Sequence, residues 1–305
     1  TENKMKIFQL TAIILLLTVC NTFAQPIDSL KQEIQKIISS KNATIGVAVL
    51  GNNGQDVFSI NGERHFPMQS VFKFHIGLAM LSEIDRGNFK LNQKIKIKKS
   101  ELLPGLWSPI REKYPEGAKL SIAEILEYTI SQSDNVGCDI LLKILGGPNF
   151  VENYIKASGV DNISIKINEE VMQNNWDRQF ENWTTPLAAN QILELFFLNE
   201  SNLLSPSSYD FLWKIMKETA TGKKRLKGNL PVGTVVAHKT GWSGTNKETG
   251  ITAAVNDIGI VFLPDNNNFF ISVFITDSKE NAEVNEKIIA DISKATWDYF
   301  ISKAK

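Results

Sequence analysis

The sequence predicts an α/β (α+β) fold: an antiparallel sheet domain built from both termini, with an all-helical domain inserted between them. Three observations predict it. Strand patterns occur near residues 44–60 and return at 234–275. The stretch between them has helical periodicity, interrupted by Pro/Gly/Asn-rich connections. Short turns such as Asn52-Asn53-Gly54 and Pro264-Asp265-Asn266-Asn267 separate neighbouring strands, and hairpin connections make a sheet antiparallel.

The elements follow in order. After Pro26, the residues Ile27, Leu30, Ile34, Ile37 and Ile38 fall on one helical face. Residues 44–50 read as a strand and 56–60 as its hairpin partner. Segments 70–86, 121–131, 134–146, 149–157, 186–199 and 208–219 read as helices. Strands are expected at 234–239, 251–263 and 269–275, and a last helix at about 282–302. The expected boundaries are therefore 25–66 with 220–305 for the sheet domain and 67–219 for the helical domain, with a site in the cleft between them. There is no internal repeat.

The 305 residues include 33 Lys+Arg and 33 Asp+Glu, with 43% hydrophobic residues, which suits a globular protein with a sizeable core. Zero net charge without a basic run gives no electrostatic footprint for nucleic acid. At the N-terminus, Lys4 and Lys6 precede the apolar run 7–19, and Thr22-Phe23-Ala24 places small residues at −3 and −1. This is the layout of a secretory signal peptide, read as residues 1–24 with Met5 as its start and cleavage near Ala24. A membrane anchor needs a longer apolar run, and a lipid on Cys20 is disfavoured by Leu17-Thr18-Val19 before it. The expectation is an exported, periplasmic or secreted monomer, with no stable membrane association once the signal is removed. Cleavage leaves Cys138 as the single cysteine, read as a buried core residue in a chain without an internal disulfide. The histidines His65, His75 and His238 lack HExxH spacing, so neither a zinc site nor any cofactor is expected.

Three short motifs could carry chemistry. In Met68-Gln69-Ser70-Val71-Phe72-Lys73, a serine opens an apolar helix and a lysine follows three residues later on the same face. The helix dipole favours an anion there, and a lysine of lowered pKa can accept the serine proton. Taken alone, the same residues describe an ordinary N-cap and a surface lysine. Ser133-Asp134-Asn135 opens another helix; a serine there can relay a proton and an asparagine can hold an amide, or the triplet is simply a cap. His238-Lys239-Thr240-Gly241 ends a β-branched strand before Trp242-Ser243-Gly244. A lysine and a threonine at a strand end can bind a carboxylate, and a glycine lets the backbone approach a ligand; the bland reading is a hairpin turn.

Together and in this order, SxxK, SDN and KTG are the signature of the serine penicillin-recognising enzymes. The chain resembles class A β-lactamases over nearly all of its mature length. The family keeps a deacylating glutamate on an Ω loop, in an Arg-x-Glu-x-x-x-Asn pattern with a later Asp that pairs with the Arg. Here Lys166-Ile167-Asn168-Glu169-Glu170-Val171-Met172-Gln173 and Asn182-Trp183-Thr184-Thr185-Pro186 put Glu169 in the glutamate position, with Glu170 one residue away. Ile167, Gln173 and Asn182 fall where the Arg, Asn and Asp are expected. Both halves of the usual salt bridge are absent together, which points to another way of holding the loop, because one lost partner leaves a buried charge. With Arg225-Leu226-Lys227-Gly228, this departure resembles the PER-like extended-spectrum branch.

The resemblance implies the β-lactamase/penicillin-recognising fold and hydrolysis of penicillins and cephalosporins through a serine acyl-enzyme. It implies Ser70, Lys73, Ser133 and Glu169 as catalytic residues. Backbone N–H groups of Ser70 and Trp242 would form the oxyanion hole. Lys239, Thr240 and Ser243 would bind the substrate carboxylate beside Gly241, supported by Arg225. Asn135 and Gln173 would line the site, with Trp107 at the cleft entrance or merely packed. The expected partner is a small-molecule β-lactam. A D,D-peptidase that stays acylated and a penicillin sensor are the rival readings.

Overall fold

The computed structural model describes residues 27–51, 54–200 and 202–303. The signal-peptide reading at 1–24, with Met5 and Cys20, and the turn residues Asn52 and Asn53 lie outside those residues.

Helix α1 (Ile27–Ser39) buries Leu30 and Ile34, two positions of the predicted face. Strand β1 (Thr44–Gly51) pairs antiparallel with β2 (Val57–Ile60), and β3 (Phe66–Pro67) leads towards helix α2 (Phe72–Asp85). Helix α2 is buried from Phe72 to Glu83, so it is a core helix rather than an amphipathic one.

The next segment holds a hairpin that helical periodicity did not predict. In β4 (Lys94–Lys98), Ile95 and Ile97 alternate with lysines, and after the short α3 (Pro109–Lys113) it pairs with β5 (Gly117–Ser121). Helix α4 (Ile122–Ser131) starts at a capping box in which the Ser121 hydroxyl accepts from Glu124 N–H and the Glu124 carboxylate accepts from Ser121 N–H. Helix α5 (Asn135–Leu145) is capped by Asp134 and ends at the left-handed Gly146; α6 (Pro148–Ala157) follows.

A three-stranded ribbon of β3, β6 (Ile163–Ser164) and β7 (Trp183–Thr184) brackets the short helix α7 (Glu169–Asn174). Helix α8 (Pro186–Leu198) and helix α9 (Pro206–Lys217) each start with Pro after a Thr or Ser cap, which places α9 two residues earlier than its periodicity predicts.

Strands β8 (Val236–Trp242), β9 (Val255–Phe262) and β10 (Asn268–Thr276) complete a five-stranded antiparallel sheet of order β2-β1-β10-β9-β8, closed by helix α10 (Ala282–Lys303). Strand β8 begins and ends later than expected, so Thr240, Gly241 and Trp242 belong to it. Residues 251–254 precede β9 instead of forming its start; Thr252 there bridges Thr245 and Ser278.

The central strand β10 sends Ile271, Val273 and Ile275 into a core with α1 and α10, and Phe270 and Phe274 into a second core around α2. Burial on both faces explains its continuous apolar run. The edge strand β8 borders the second core, and its C-terminal half runs past the turn that precedes α2.

Candidate active site

Ser70 lies in a 3₁₀ turn, Gln69–Val71, that feeds α2, and the buried side chains of Met68, Val71 and Phe72 anchor the turn in the core. One turn later the same helix places Lys73 fully inside the protein. A buried ammonium needs partners, and Lys73 has three. Its Nζ donates to Ser70 Oγ at 2.5 Å and to Asn135 Oδ1 at 2.7 Å, and it forms an ion pair with the Glu169 carboxylate. Glu169 Oε1 is also 3.4 Å from Ser70 Oγ. Gln69 has a φ of 48° and Ser133 a φ of 59°, left-handed backbone that costs side-chain-bearing residues energy and is held here on either side of the cluster.

Asp134 organises the second motif. Its carboxylate accepts from Gly137 N–H at 2.7 Å, from Ile110 N–H at 2.7 Å and from Ser108 Oγ, tying the loop before α3 to the start of α5. Burial pushes its carboxyl above the usual carboxylate range against those donors. The tie fixes Trp107, whose carbonyl accepts from Asn135 N–H while its Nε1 donates to Gln132 O. The Trp107 indole is 56% exposed.

Strand β8 supplies the third motif. Lys239 is fully buried and donates to Ser133 Oγ at 2.9 Å and to Thr240 O at 3.1 Å. Burial, reinforced by the charge of Lys73, holds its ammonium well below the usual lysine range. At Gly241 an added Cβ would lie 2.4 Å from Met68 O, so only glycine lets the strand approach the Ser70 turn this closely. Asn256, across from Gly241 in the sheet, locks that approach by donating to Pro67 O at 2.8 Å and Met68 O at 3.1 Å.

Arg225 donates to the carbonyls of Gly241 (2.9 Å) and Asn256 (3.0 Å) and reaches Glu286, so its guanidinium grips β8 and β9. Thr240 Oγ1 is 2.6 Å from Thr221 Oγ1. Ser243 Oγ accepts from Ala254 N–H and donates to Gly244 O.

At positions 167 and 182 the loop carrying Glu169 is clasped without a charged pair, while Lys166 beside them pairs with Glu152. Asn182 is fully buried; its Oδ1 accepts from Lys166 N–H (2.7 Å) and Ile167 N–H (3.0 Å), and its Nδ2 donates to Ile167 O (2.8 Å). One carboxamide thus supplies acceptor and donor to backbone, and the apolar Ile167 side chain is buried. Asp139 secures the other end, accepting from Glu169 N–H (2.8 Å) and Glu170 N–H (3.0 Å). Burial first, then the charge of Glu169, pushes the Asp139 carboxyl up to about 7. Glu170 is exposed, whereas Glu169 is 5% exposed.

The structure therefore brings Ser70, Lys73, Asn135 and Glu169 into one contact cluster, with Ser133 and Lys239 joined to each other. Ser70, Asn135, Glu169, Gln173, Trp242 and Ser243 line a cavity of about 190 Å³. Trp107 does not line it, and Arg225 meets backbone rather than open space. Sequence reasoning missed Asp139, although it is four residues after Asn135 on the same helix and so shares its face. It also missed Gln179 and Trp176, for which only the length of the loop gave a signal.

Comparison with known proteins agrees over the whole described chain. The model of the β-lactamase enzyme family matches residues 29–300. β-Lactamase VEB-1 of Pseudomonas aeruginosa is 51% identical over 302 residues, covering 98% of this chain and 100% of that protein. The extended-spectrum β-lactamase PER-1 of Pseudomonas aeruginosa is 40% identical over 297 residues, 96% of this chain and 95% of that one. The crystal structure of the TLA-1 extended-spectrum β-lactamase superposes with a TM-score of 0.88 at 53% identity, covering 91% of this chain and all of that one. This chain therefore belongs to the β-lactamase enzyme family, as a class A enzyme of the PER-like branch that hydrolyses β-lactams.

Proposed function

We propose that Ser70 is the nucleophile of an acyl-enzyme mechanism and that Lys73, Ser133 and Glu169 move its protons. Ser70 Oγ bonds to the lactam carbonyl carbon while its proton passes to Lys73, made a neutral amine by handing its own proton to the Glu169 carboxylate it pairs with, or to Glu169 through a water. The lactam C–N bond then breaks, and Ser133, held by Lys239, delivers a proton to the departing nitrogen and recovers the one taken from Ser70, which leaves Glu169 as the carboxylate. Water activated by Glu169 attacks the ester and frees Ser70. The observation that carries this reading is the single Lys73 ammonium touching Ser70 Oγ, Asn135 Oδ1 and the Glu169 carboxylate.

Backbone N–H groups of Ser70 and Trp242 serve as the oxyanion hole. Lys239, Thr240 and Ser243 take the substrate carboxylate, Arg225 supports them through Gly241, and Asn135 and Gln173 meet the acyl side chain, with Trp107 at the entrance. The proposed substrate range includes oxyimino cephalosporins; the PER-1 relative, 40% identical, is named an extended-spectrum β-lactamase. The protein acts as an exported monomer after removal of residues 1–24, with residues 67–219 as the helical domain and 25–66 with 220–305 as the sheet domain. A D,D-peptidase has the same acylation machinery but no carboxylate for deacylation; the buried Glu169 beside Ser70 favours hydrolysis.

Steady-state turnover of a chromogenic cephalosporin tests the reading. Wild-type protein should turn over many equivalents, and Ser70→Ala should abolish turnover with an unchanged circular-dichroism spectrum. Full activity in folded Ser70→Ala refutes the assignment.

A further inference from the structure

The fully buried Lys239 has only neutral hydrogen-bond partners, Ser133 Oγ and Thr240 O, and among the described residues no carboxylate lies within ion-pair reach of it. A buried ammonium without a counter-charge tends to lose its proton. One strand away lies a carboxylate that the mechanism above does not use. Asp257 of β9 stands opposite Thr240 of β8, is fully buried, and has both oxygens at 2.9 and 3.0 Å from His238 Nδ1. We propose that Asp257, oriented by His238, is a positioning residue: it supplies the counter-charge that keeps Lys239 a cation for the substrate carboxylate.

The pair sits in a place built for it. His238 and Thr240 alternate with Lys239 along β8, so His238 and Asp257 occupy the sheet face opposite the one that carries the Lys239 side chain. The register puts Gly259 across from His238, where an added Cβ would lie 2.8 Å from His238 Cβ. A side chain there would crowd the histidine out. Asp257 Oδ2 also accepts from Leu226 N–H at 3.2 Å, and Leu226 follows the Arg225 that grips β8 and β9. The carboxylate is thus fastened from two sides.

The ring fixes the charge of the pair. A carboxylate only accepts, so His238 Nδ1 carries a proton and donates it to Asp257. His238 Nε2 is buried and meets no partner among the described residues, so a second proton there would be an orphan donor. The ring is therefore neutral, and the pair carries one negative charge. The charged groups that act on Lys239 are Lys73 of α2, Asp257 of β9, Glu169 of α7 and Arg225 before β8. Around them, Lys227 faces Asp257, and Glu286 of α10 pairs with Arg225. Burial and Lys73 favour the neutral amine at Lys239; Asp257 opposes them most strongly, and Glu169 is already paired with Lys73.

This inference rests on the proposed carboxylate-binding role of Lys239, and the test separates the two. Benzylpenicillin and its methyl ester differ in the charge that Lys239 meets. In Asp257→Asn the acid-to-ester ratio of kcat/KM should fall about tenfold, mainly through KM for the acid. The alkaline limb of kcat/KM for the acid should move down by ~0.5–1 pH unit, because the ammonium loses the charge that favours it. Asp257→Glu, which keeps the charge, should restore most of both. Equal losses on acid and ester with an unmoved pH profile would make Asp257 purely structural and overturn the proposal. Should Asp257→Asn not fold, wild-type protein with an isotope label at lysine Cε serves instead. Its Lys239 resonance, identified by its absence in Lys239→Arg, should report a charged amine at neutral pH, and a neutral amine overturns the proposal. Wild-type protein that prefers the ester to the acid overturns the carboxylate-binding reading itself.

Discussion

Glu169 and Glu170 are adjacent in sequence but differ in everything that matters chemically. Glu169 is buried against Lys73 and Ser70, whereas Glu170 is exposed and engaged through its backbone N–H with Asp139. Glu169→Ala should acylate and then stall, with deacylation slowed by about 10²–10⁴ or more. Intact-mass spectrometry should show the adduct in Glu169→Ala and not in Glu170→Ala; the reverse pattern would move the general base by one position. Asp139 gives a second prediction at this scale. Its folded carboxyl titrates near 7, above the ordinary aspartate value of 3.8, because it is buried beside Glu169. The folded protein therefore keeps a proton that the unfolded chain releases, and raising the pH favours the unfolded form. This contribution is fully present below about pH 4 and is lost as pH rises to about 7. Asp139→Asn should remove that slope in urea-denaturation free energies measured from pH 4 to pH 8. An unaltered slope would assign it to another group.

The glutamate-bearing loop shows how a neutral clasp replaces a charged one. A carboxylate at 182 without a cation at 167 would be a buried, unpaired charge, whereas the carboxamide of Asn182 matches two backbone N–H groups and one carbonyl. Asn182→Asp should therefore not restore the family's usual arrangement. It replaces the donor facing Ile167 O with an acceptor and buries a charge, at a cost of about 3 kcal/mol at pH 7. Equilibrium urea unfolding checks this; a stability equal to wild type would mean that the clasp contributes nothing.

Across the whole molecule, the cavity beside Ser70 lies where β8 passes the turn that precedes α2. The α1/α10 core and the α2 core share β10, and Asn256, Gly241 and Arg225 bind the edge strand to the Ser70 turn and to β9. Substrate range belongs to this scale, because the glutamate-bearing loop, proposed as the floor beneath the acyl side chain, and the strand β8, proposed to bind the carboxylate, come from segments far apart in the chain. Ile167 and Asn182 leave the floor without a charged clasp, and oxyimino cephalosporins should enter. On one preparation, kcat/KM for cefotaxime should lie within about a thousandfold of that for benzylpenicillin. A larger gap corresponds to over ~4 kcal/mol of discrimination and would rule out an open floor.

The sequence by itself determined the sheet–helix–sheet order, because the short β-branched and aromatic runs in 44–60 and 269–275, bounded by turn residues, and helical spacing in the middle are local properties of the chain. It also marked Ser70, Lys73, Ser133 and Lys239, because three fixed-spacing motifs in one order carry more information than any of them alone. It left β4 and β5 unseen, since five residues of alternating Lys and Ile compete poorly with the helical pattern around them. What only the tertiary structure decided depends on contacts far apart in the chain. Asn182 meeting Ile167, Asn256 meeting Met68 and Gln179 meeting Gln69 are hydrogen bonds between segments whose approach is set by packing, and no local spacing encodes them. Gly241 reads in sequence as a glycine that lets the backbone approach a ligand, or as a turn glycine; in the fold it is the point where an added Cβ would sit 2.4 Å from Met68 O.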